Sequence, residues 1–241
     1  MAQLKIVKLC KKYKKRQVVD NISFNVESGQ IVSLLGPNGA GKTTTFYMVA
    51  GLIKAGSGEV FFDDINISKM PIYKRAVTGI IYLPQEHSIF RGLTVRNNLL
   101  AVLERRKELS AAEKIKLCDE LLDELEITRI QHQLGNTLSG GETRRTEIAR
   151  AMAMSPKFLL LDEPFAGVDP IAIGSISLTI SFLAKEKNVG VLITDHNASA
   201  TLRVSDYTHI VYQGKIMTSG ASDEIKSDEK ALTYYLGHGN L

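Results

Sequence analysis

Apolar and polar residues alternate through the first third of the chain. Leu4–Leu9, Gln17–Gly29 and Gln30–Gly36 carry the period-two pattern, with Gly and Asn punctuation, that predicts strands joined by turns. Ile31–Leu35 is a short apolar run that stops at a glycine-rich loop. Thr43–Ile53 behind it predicts a helix, and Gly58–Ile67 a further strand pair. From Leu93 to about Ile130 the period changes. Apolar residues recur at helical spacing among many charges, over Leu93–Leu109 and again over Ala111–Ile127. Leu138–Met154 predicts another helix, starting just after a glycine pair. Lys157–Glu163 and Val189–His196 are apolar strands ending in acidic or polar residues, the pattern of buried parallel strands. In open α/β sheets ligands sit at the C-terminal ends of such strands.

This order predicts an α/β fold. A mostly parallel sheet flanked by helices is preceded by an N-terminal antiparallel β part and interrupted by a helical lobe at approximately 93–155. A short tail follows at approximately 222–241. The whole of 1–241 reads as a single domain. With 241 residues, 44% of them hydrophobic, the chain is long enough to bury a sizeable core. A net charge of +4 with 23% charged residues does not require a nucleic-acid partner. Cys10 and Cys118 have no metal-ligand spacing and read as idle thiols in a reducing compartment. The N-terminus lacks an apolar core of signal-peptide length. The longest uncharged stretch, Pro170–Ala184, is too short to span a bilayer. A cytosolic protein is expected; at a membrane, other chains would supply the spanning part.

The most specific segment is Gly36-Pro37-Asn38-Gly39-Ala40-Gly41-Lys42-Thr43, which fits G-x-x-x-x-G-K-[ST] between a predicted strand and a predicted helix. Glycines let successive N–H groups converge on phosphate oxygens, and the helix behind them points its positive end at the same place. Lys42 adds a full charge, and Thr43 offers a hydroxyl to Mg²⁺. A bare glycine-rich turn would lack this context. Asp162 and Glu163 end the apolar run Phe158–Leu161. Alone they would read as a solvated strand end. About 120 residues after a phosphate-binding loop, Asp162 can organise Mg²⁺ through water and Glu163 can orient an attacking water.

Leu138-Ser139-Gly140-Gly141-Glu142 resembles the signature motif of ABC-type ATPases, and the resemblance covers nearly the whole chain. It implies ATP and Mg²⁺ as ligands, and roles for further residues. Tyr13 stacks on adenine, Thr44 joins the phosphate loop, and Gln85 touches Mg²⁺ and senses a membrane subunit. Ala166-Gly167-Val168-Asp169 crosses a dimer interface, and His196 contacts the γ-phosphate. Ser139, Gly140, Gly141 and Glu142 serve the ATP of a partner subunit, so a homodimer is implied. Taken singly, Tyr13 would be a surface tyrosine, Gln85 uninformative, and Glu142 a structural residue or a ribose contact. The Lys11–Arg16 run reads as a solvated hairpin face.

Ile81–Leu99, Leu159–Pro170, Val191–Leu202 and Tyr234–Gly237 look like the ATPases of bacterial lipopolysaccharide export. That resemblance implies a homodimer on the cytoplasmic face of the inner membrane, beneath two different integral membrane subunits. Phe90 and Arg91 would receive their coupling helices; the plainer alternative packs Phe90 under the helical lobe. Departures are Thr143, Thr146 and the absence of charge over Ile171–Ala184. Rival readings are a branched-chain amino-acid importer ATPase, a soluble ABC-type ATPase on ribosomes or DNA, and a non-hydrolysing regulator. Neither long coiled coils nor a second nucleotide unit supports the soluble protein, and Glu163 with His196 opposes the regulator.

Overall fold

The computed structural model describes residues 1–237, so the last four residues of the expected tail lie outside it. The chain opens with β1 (Gln3–Tyr13) and β2 (Arg16–Glu27), an antiparallel pair with a tight turn at Lys14 and Lys15. β3 (Ile31–Leu35) leads into α1 (Lys42–Ala50). β4 (Ser57–Phe62), β5 (Ile65–Asn66), α2 (Ile72–Val77) and β6 (Ile80–Leu83) follow. The helical lobe contributes α3 (Val95–Leu103), α4 (Ala111–Glu124) and α5 (Gly140–Met152). The chain then runs through β7 (Phe158–Asp162), α6 (Pro170–Lys185), β8 (Gly190–Thr194) and α7 (Ala198–Val204). A hairpin of β9 (Tyr207–Tyr212) and β10 (Lys215–Ala221) precedes α8 (Ser222–Ile225) and α9 (Glu229–Ala231).

Two sheets result. One is antiparallel, in the order β2-β1-β4-β5; the other runs β10-β9-β3-β8-β7-β6. In the second, every pairing is parallel except that of β9 with the edge strand β10. The expected mostly parallel sheet with an N-terminal antiparallel part is therefore present. β3, β7 and β8 are buried at every position, because α5, α6 and α7 cover one face and α1 with the antiparallel sheet covers the other. The antiparallel sheet turns Leu4, Ile6, Val19, Ile22, Phe24 and Val26 inward, onto Phe46, Met48 and Val49 of α1. The phosphate-loop helix is thus held between the two sheets.

α4 begins at Ser110 with a capping box to Glu113, and its apolar face, Cys118, Leu121 and Leu122, joins α3 and α5 in the other core cluster. Arg75 is buried and has no carboxylate partner among the described residues. Its guanidinium donates to the carbonyls of Met48 (2.9 Å), Val49 (2.5 Å), Met70 (2.9 Å) and Ser68 (3.2 Å), which satisfies the C-terminal end of α1. Among the described residues no helix is long and apolar enough to cross a membrane.

Candidate functional site

The site gathers where β3, β7 and β8 end. β3 pairs with β8 through Leu34 and Thr194, and β7 pairs with β8 through Asp162 and Thr194. That register brings Gly36, Glu163 and His196, which follow the three strand ends, to one edge of the sheet. A cavity of about 140 Å³ opens there, lined by Val18, Asn38–Thr44 and Glu163. Larger hollows lie along the antiparallel sheet, such as one beside Gln3, Lys5, Asp63 and Asp64, but they gather none of these residues.

Two loop glycines are fixed by close approach. Gly36 has φ of +149°, and a Cβ there would lie 2.0 Å from the Val211 carbonyl oxygen; at Gly41, φ +103°, it would lie 2.5 Å from that of Val18. The Lys42 ammonium donates to the Gly36 carbonyl at 2.6 Å and the Pro37 carbonyl at 3.1 Å. Burial lowers its pKa, and the nearby carboxylates of Glu163, Asp195 and Asp162 oppose that shift. Thr43 is exposed and Thr44 half-buried, at the start of α1.

Asp162 is buried, and burial raises its pKa to about 6; the hydrogen bond from the Tyr82 hydroxyl, 3.1 Å to Oδ2, works in the other direction. Glu163 stands in the left-handed region at φ +45°, a strained position for a residue with a Cβ, of order 1–3 kcal/mol. Its N–H donates to the Thr194 carbonyl at 2.7 Å, which anchors the turn to β8. The Glu163 Oε2 lies 3.3 Å from His196 Nδ1. Asp195, fully buried, accepts from the N–H groups of Phe165 (2.9 Å) and Asn197 (2.8 Å), tying the loop after β7 to the loop after β8. The Tyr235 hydroxyl donates to the His196 carbonyl at 3.2 Å.

The signature residues lie apart from this cavity. Ser139 caps α5 and Glu142 completes a capping box. The Ser139 N–H (2.9 Å) and hydroxyl (2.7 Å) both donate to Glu142 Oε2. Those hydrogen bonds hold the Glu142 carboxyl below its ordinary pKa. Gly140 and Gly141 pack on the loop at Gly167 and on Ala172 of α6. Asp169 caps α6, accepting from the N–H groups of Ile171 (3.1 Å) and Ala172 (2.9 Å). The charge-free stretch of α6 leaves Ile171 and Leu178 exposed. Thr143 and Thr146 are buried, and the Thr146 hydroxyl donates to the Glu142 carbonyl at 2.8 Å.

A third group surrounds the segment after β6. Gln85 and Arg91 are exposed. Phe90 is 48% exposed, with the Arg150 guanidinium 4.9 Å from its ring centre, so it is not packed away under the helical lobe. Tyr13 stands alone at the hairpin tip, half-exposed, beside the Lys11 ammonium. It does not line the cavity; its hairpin reaches the cavity through Val18.

Sequence reasoning missed the residues that join these groups. Arg144 donates to the Pro84 carbonyl (2.9 Å) and, at 3.4 Å, to the Asp162 carbonyl, and pairs with Glu147 (3.2 Å). Glu147 in turn accepts from the Ser88 N–H. Buried Asn98 accepts from the Phe90 N–H at 2.9 Å and donates to the Phe90 and Thr94 carbonyls. Their one sequence signal is a polar residue on a helix face whose neighbours are otherwise buried.

A family model described as ABC transporter matches residues 19–166. Two proteins called lipopolysaccharide export system ATP-binding protein LptB, from Haemophilus influenzae and from Escherichia coli K12, are each 52% identical to this chain. Each alignment covers 98% of this chain and 98% of the relative. Among solved structures, the ADP conformation of an ATP-binding cassette of an ABC transporter superposes with a TM-score of 0.86. It is 26% identical and covers 99% of this chain and 100% of its own. A dimeric post-hydrolysis cassette bound to ADP and Pi gives 0.79 at 25% identity, over 91% and 98%.

Proposed function

The chain belongs to the ABC transporter family, and from that premise we propose that it is the ATP-hydrolysing subunit of a lipopolysaccharide exporter. The observation that carries the ATPase reading is the meeting of Glu163 and His196 beside the phosphate loop, at the ends of three adjacent strands. The cargo reading is carried by the 52% identity, end to end, with lipopolysaccharide export proteins.

Loop amides of Gly36–Thr44 and the Lys42 ammonium bind the phosphates, and Tyr13 stacks on the adenine. The Thr43 hydroxyl and the Gln85 side-chain carbonyl, with the Asp162 carboxylate acting through bound water, would offer only oxygen donors, which suits Mg²⁺. Held there, Mg²⁺ would screen the phosphate charge. Glu163 accepts a hydrogen bond from the attacking water and aims it at the γ-phosphorus. His196 presents its second ring nitrogen to the γ-phosphate while Nδ1 faces Glu163.

Ser139, Gly140 and Gly141 lie away from this chain's own cavity, which supports their acting on the ATP of a second copy in a head-to-tail homodimer. Closure of that dimer excludes water and completes the charge-stabilising shell. Asp169 lies at the interface. Phe90 and Arg91 offer an aromatic and a cation to the coupling helices of two different integral membrane subunits. The protein then sits peripherally on the cytoplasmic face of the inner membrane, without nucleic acid.

A tagged copy pulled from detergent-solubilised native membranes tests this reading, with the captured proteins identified by mass spectrometry. Two different lipopolysaccharide-export membrane proteins are expected. Recovery of amino-acid permease subunits or ribosomes instead would overturn the cargo while leaving the ATPase chemistry in place.

A further inference from the structure

Tyr82 lies near the end of β6, three residues before Gln85. Its half-buried ring stands against the phosphate-loop helix. The ring centre is 6.1 Å from that of Phe46 and 6.2 Å from that of Tyr47, the latter edge-on. β6 and β7 run parallel with Tyr82 opposite Leu160, so the side chain reaches forward along the sheet to Asp162. There its hydroxyl donates to Oδ2 at 3.1 Å. One carboxylate oxygen is thereby held, and the rotation of the group about its last bond is fixed. Nothing in the phosphate chemistry of the loop requires a phenol at this place; phenylalanine would fill the same space against α1.

We propose that Tyr82 is a positioning residue for the metal: it sets the orientation of the Asp162 carboxylate and, through its ring, ties that orientation to the helix carrying Lys42 and Thr43. The proposal rests on the reading of Asp162 as the Mg²⁺-organising carboxylate. Hydrogen-bond partners of metal-organising groups change metal affinity by roughly 10-fold or more when removed. A hydrogen bond to an ionised carboxylate is also stronger than one between neutral groups.

The test uses the full-length protein carrying Glu163→Gln, so that ATP persists. Mn²⁺ is the probe: its binding to the ATP complex is titrated by electron paramagnetic resonance, with Tyr82→Phe and Asp162→Asn added in turn. ATP affinity in EDTA and melting of the nucleotide-free protein are measured alongside, and all titrations run below the melting transition of every variant. Tyr82→Phe is expected to weaken Mn²⁺ binding roughly 10-fold while leaving metal-free ATP affinity unchanged. A tyrosine that only packs would lower the melting temperature and leave Mn²⁺ affinity as it was; that result overturns the proposal. Asp162→Asn separates the two levels. If it weakens Mn²⁺ binding and Tyr82→Phe does not, Tyr82 alone loses its role. If Asp162→Asn has no effect, the reading of Asp162 fails, and the proposal fails with it.

Discussion

The phosphate-loop region and the signature region each use a helix N-terminus, but they stand in opposite conditions. α1 starts from a left-handed glycine, has no acidic residue in its first turn, and is buried between two sheets with Glu163 brought to its cavity by the next strands. α5 starts from an exposed serine whose own Glu142 already satisfies it, and its first turn, packed on the loop at Gly167 and on Ala172, does not line that cavity. One end is left open to an anion within its own chain; the other is closed on an internal carboxylate. The difference teaches that two helix ends of one chain can be prepared differently, one open beside its own cavity and one closed on its own carboxylate, as expected if the second serves another molecule's nucleotide.

The largest effect expected is that of Glu163→Gln. On the proposed role of Glu163 in orienting water, its loss should lower turnover by at least about 100-fold. ATP binding persists, and light scattering with ATP shows a trapped dimer. Hydrolysis at the parent rate would remove Glu163 from its role. Next in size is a pair of variants that divides the two regions. Lys42→Ala weakens ATP binding by roughly 10- to 100-fold, the loss of a charge-assisted contact to phosphate. Ser139→Arg keeps monomer ATP affinity and loses dimerisation and turnover. Mixed one to one, the two proteins form dimers with one composite site built from intact halves, and partial activity returns. No recovery in the mixture would break the contrast, because it would place both devices in service of the same chain's nucleotide.

The same contrast governs what could be read without a structure. The phosphate loop was legible because its glycines, lysine and threonine lie within eight consecutive positions, and the burial of β3, β7 and β8 follows from short runs that are mostly apolar, broken only by Ser33 in β3 and closed by Asp162 and Thr194 at the ends of β7 and β8. The helical lobe was legible from the change of period after Leu93. β6, α2 and the β9–β10 hairpin were not singled out. β6 is four residues long, α2 is six, and β9 interrupts its apolar run with His209. Residues that join distant segments were also invisible. Tyr82 meets Asp162 across 80 positions, and Arg144 meets Pro84 across 60; only the strand order brings them together. The positive φ of Glu163 has no signature in composition at all.

A smaller effect asks whether the packed region carries its own acid sensitivity. His209, on the strand beside β3, is 7% exposed between the rings of Phe24 and Tyr207, with Nδ1 2.6 Å from the Ser219 hydroxyl. Burial depresses its pKa from 6.5 to about 4. A depressed histidine contributes stability that is present above 6.5 and is lost as pH falls through 4, because the unfolded chain takes up the proton first. Between pH 7 and pH 5 that loss is about 2 kcal/mol. Asp162 and Asp195, raised by burial, act in the opposite direction, so the difference between parent and variant isolates the histidine. Urea denaturation of His209→Gln at the two pH values should show the parent losing about 2 kcal/mol more than the variant. Equal losses would mean that the imidazole is not desolvated in the fold.

The smallest effect concerns the closed helix end itself. Glu142 holds Ser139 through its N–H and its hydroxyl, and the same bonds keep the carboxylate charged. If the proposed head-to-tail dimer forms, the partner's phosphate would need those donors and would meet a like charge beside them. Glu142→Gln keeps an acceptor for the capping box and removes the charge, so stability should change by less than about 0.5 kcal/mol. In the Glu163→Gln background, ATP-driven dimerisation should then tighten by a few-fold, on the order of 1 kcal/mol or less. Glu142→Ala removes the acceptor as well and should lower stability by about 1 kcal/mol. Sedimentation at graded protein concentrations separates the cases. Weaker dimers from the glutamine variant would mean that the carboxylate takes part in closure, as the ribose-contacting reading of Glu142 requires, and does not merely occupy the place of the phosphate.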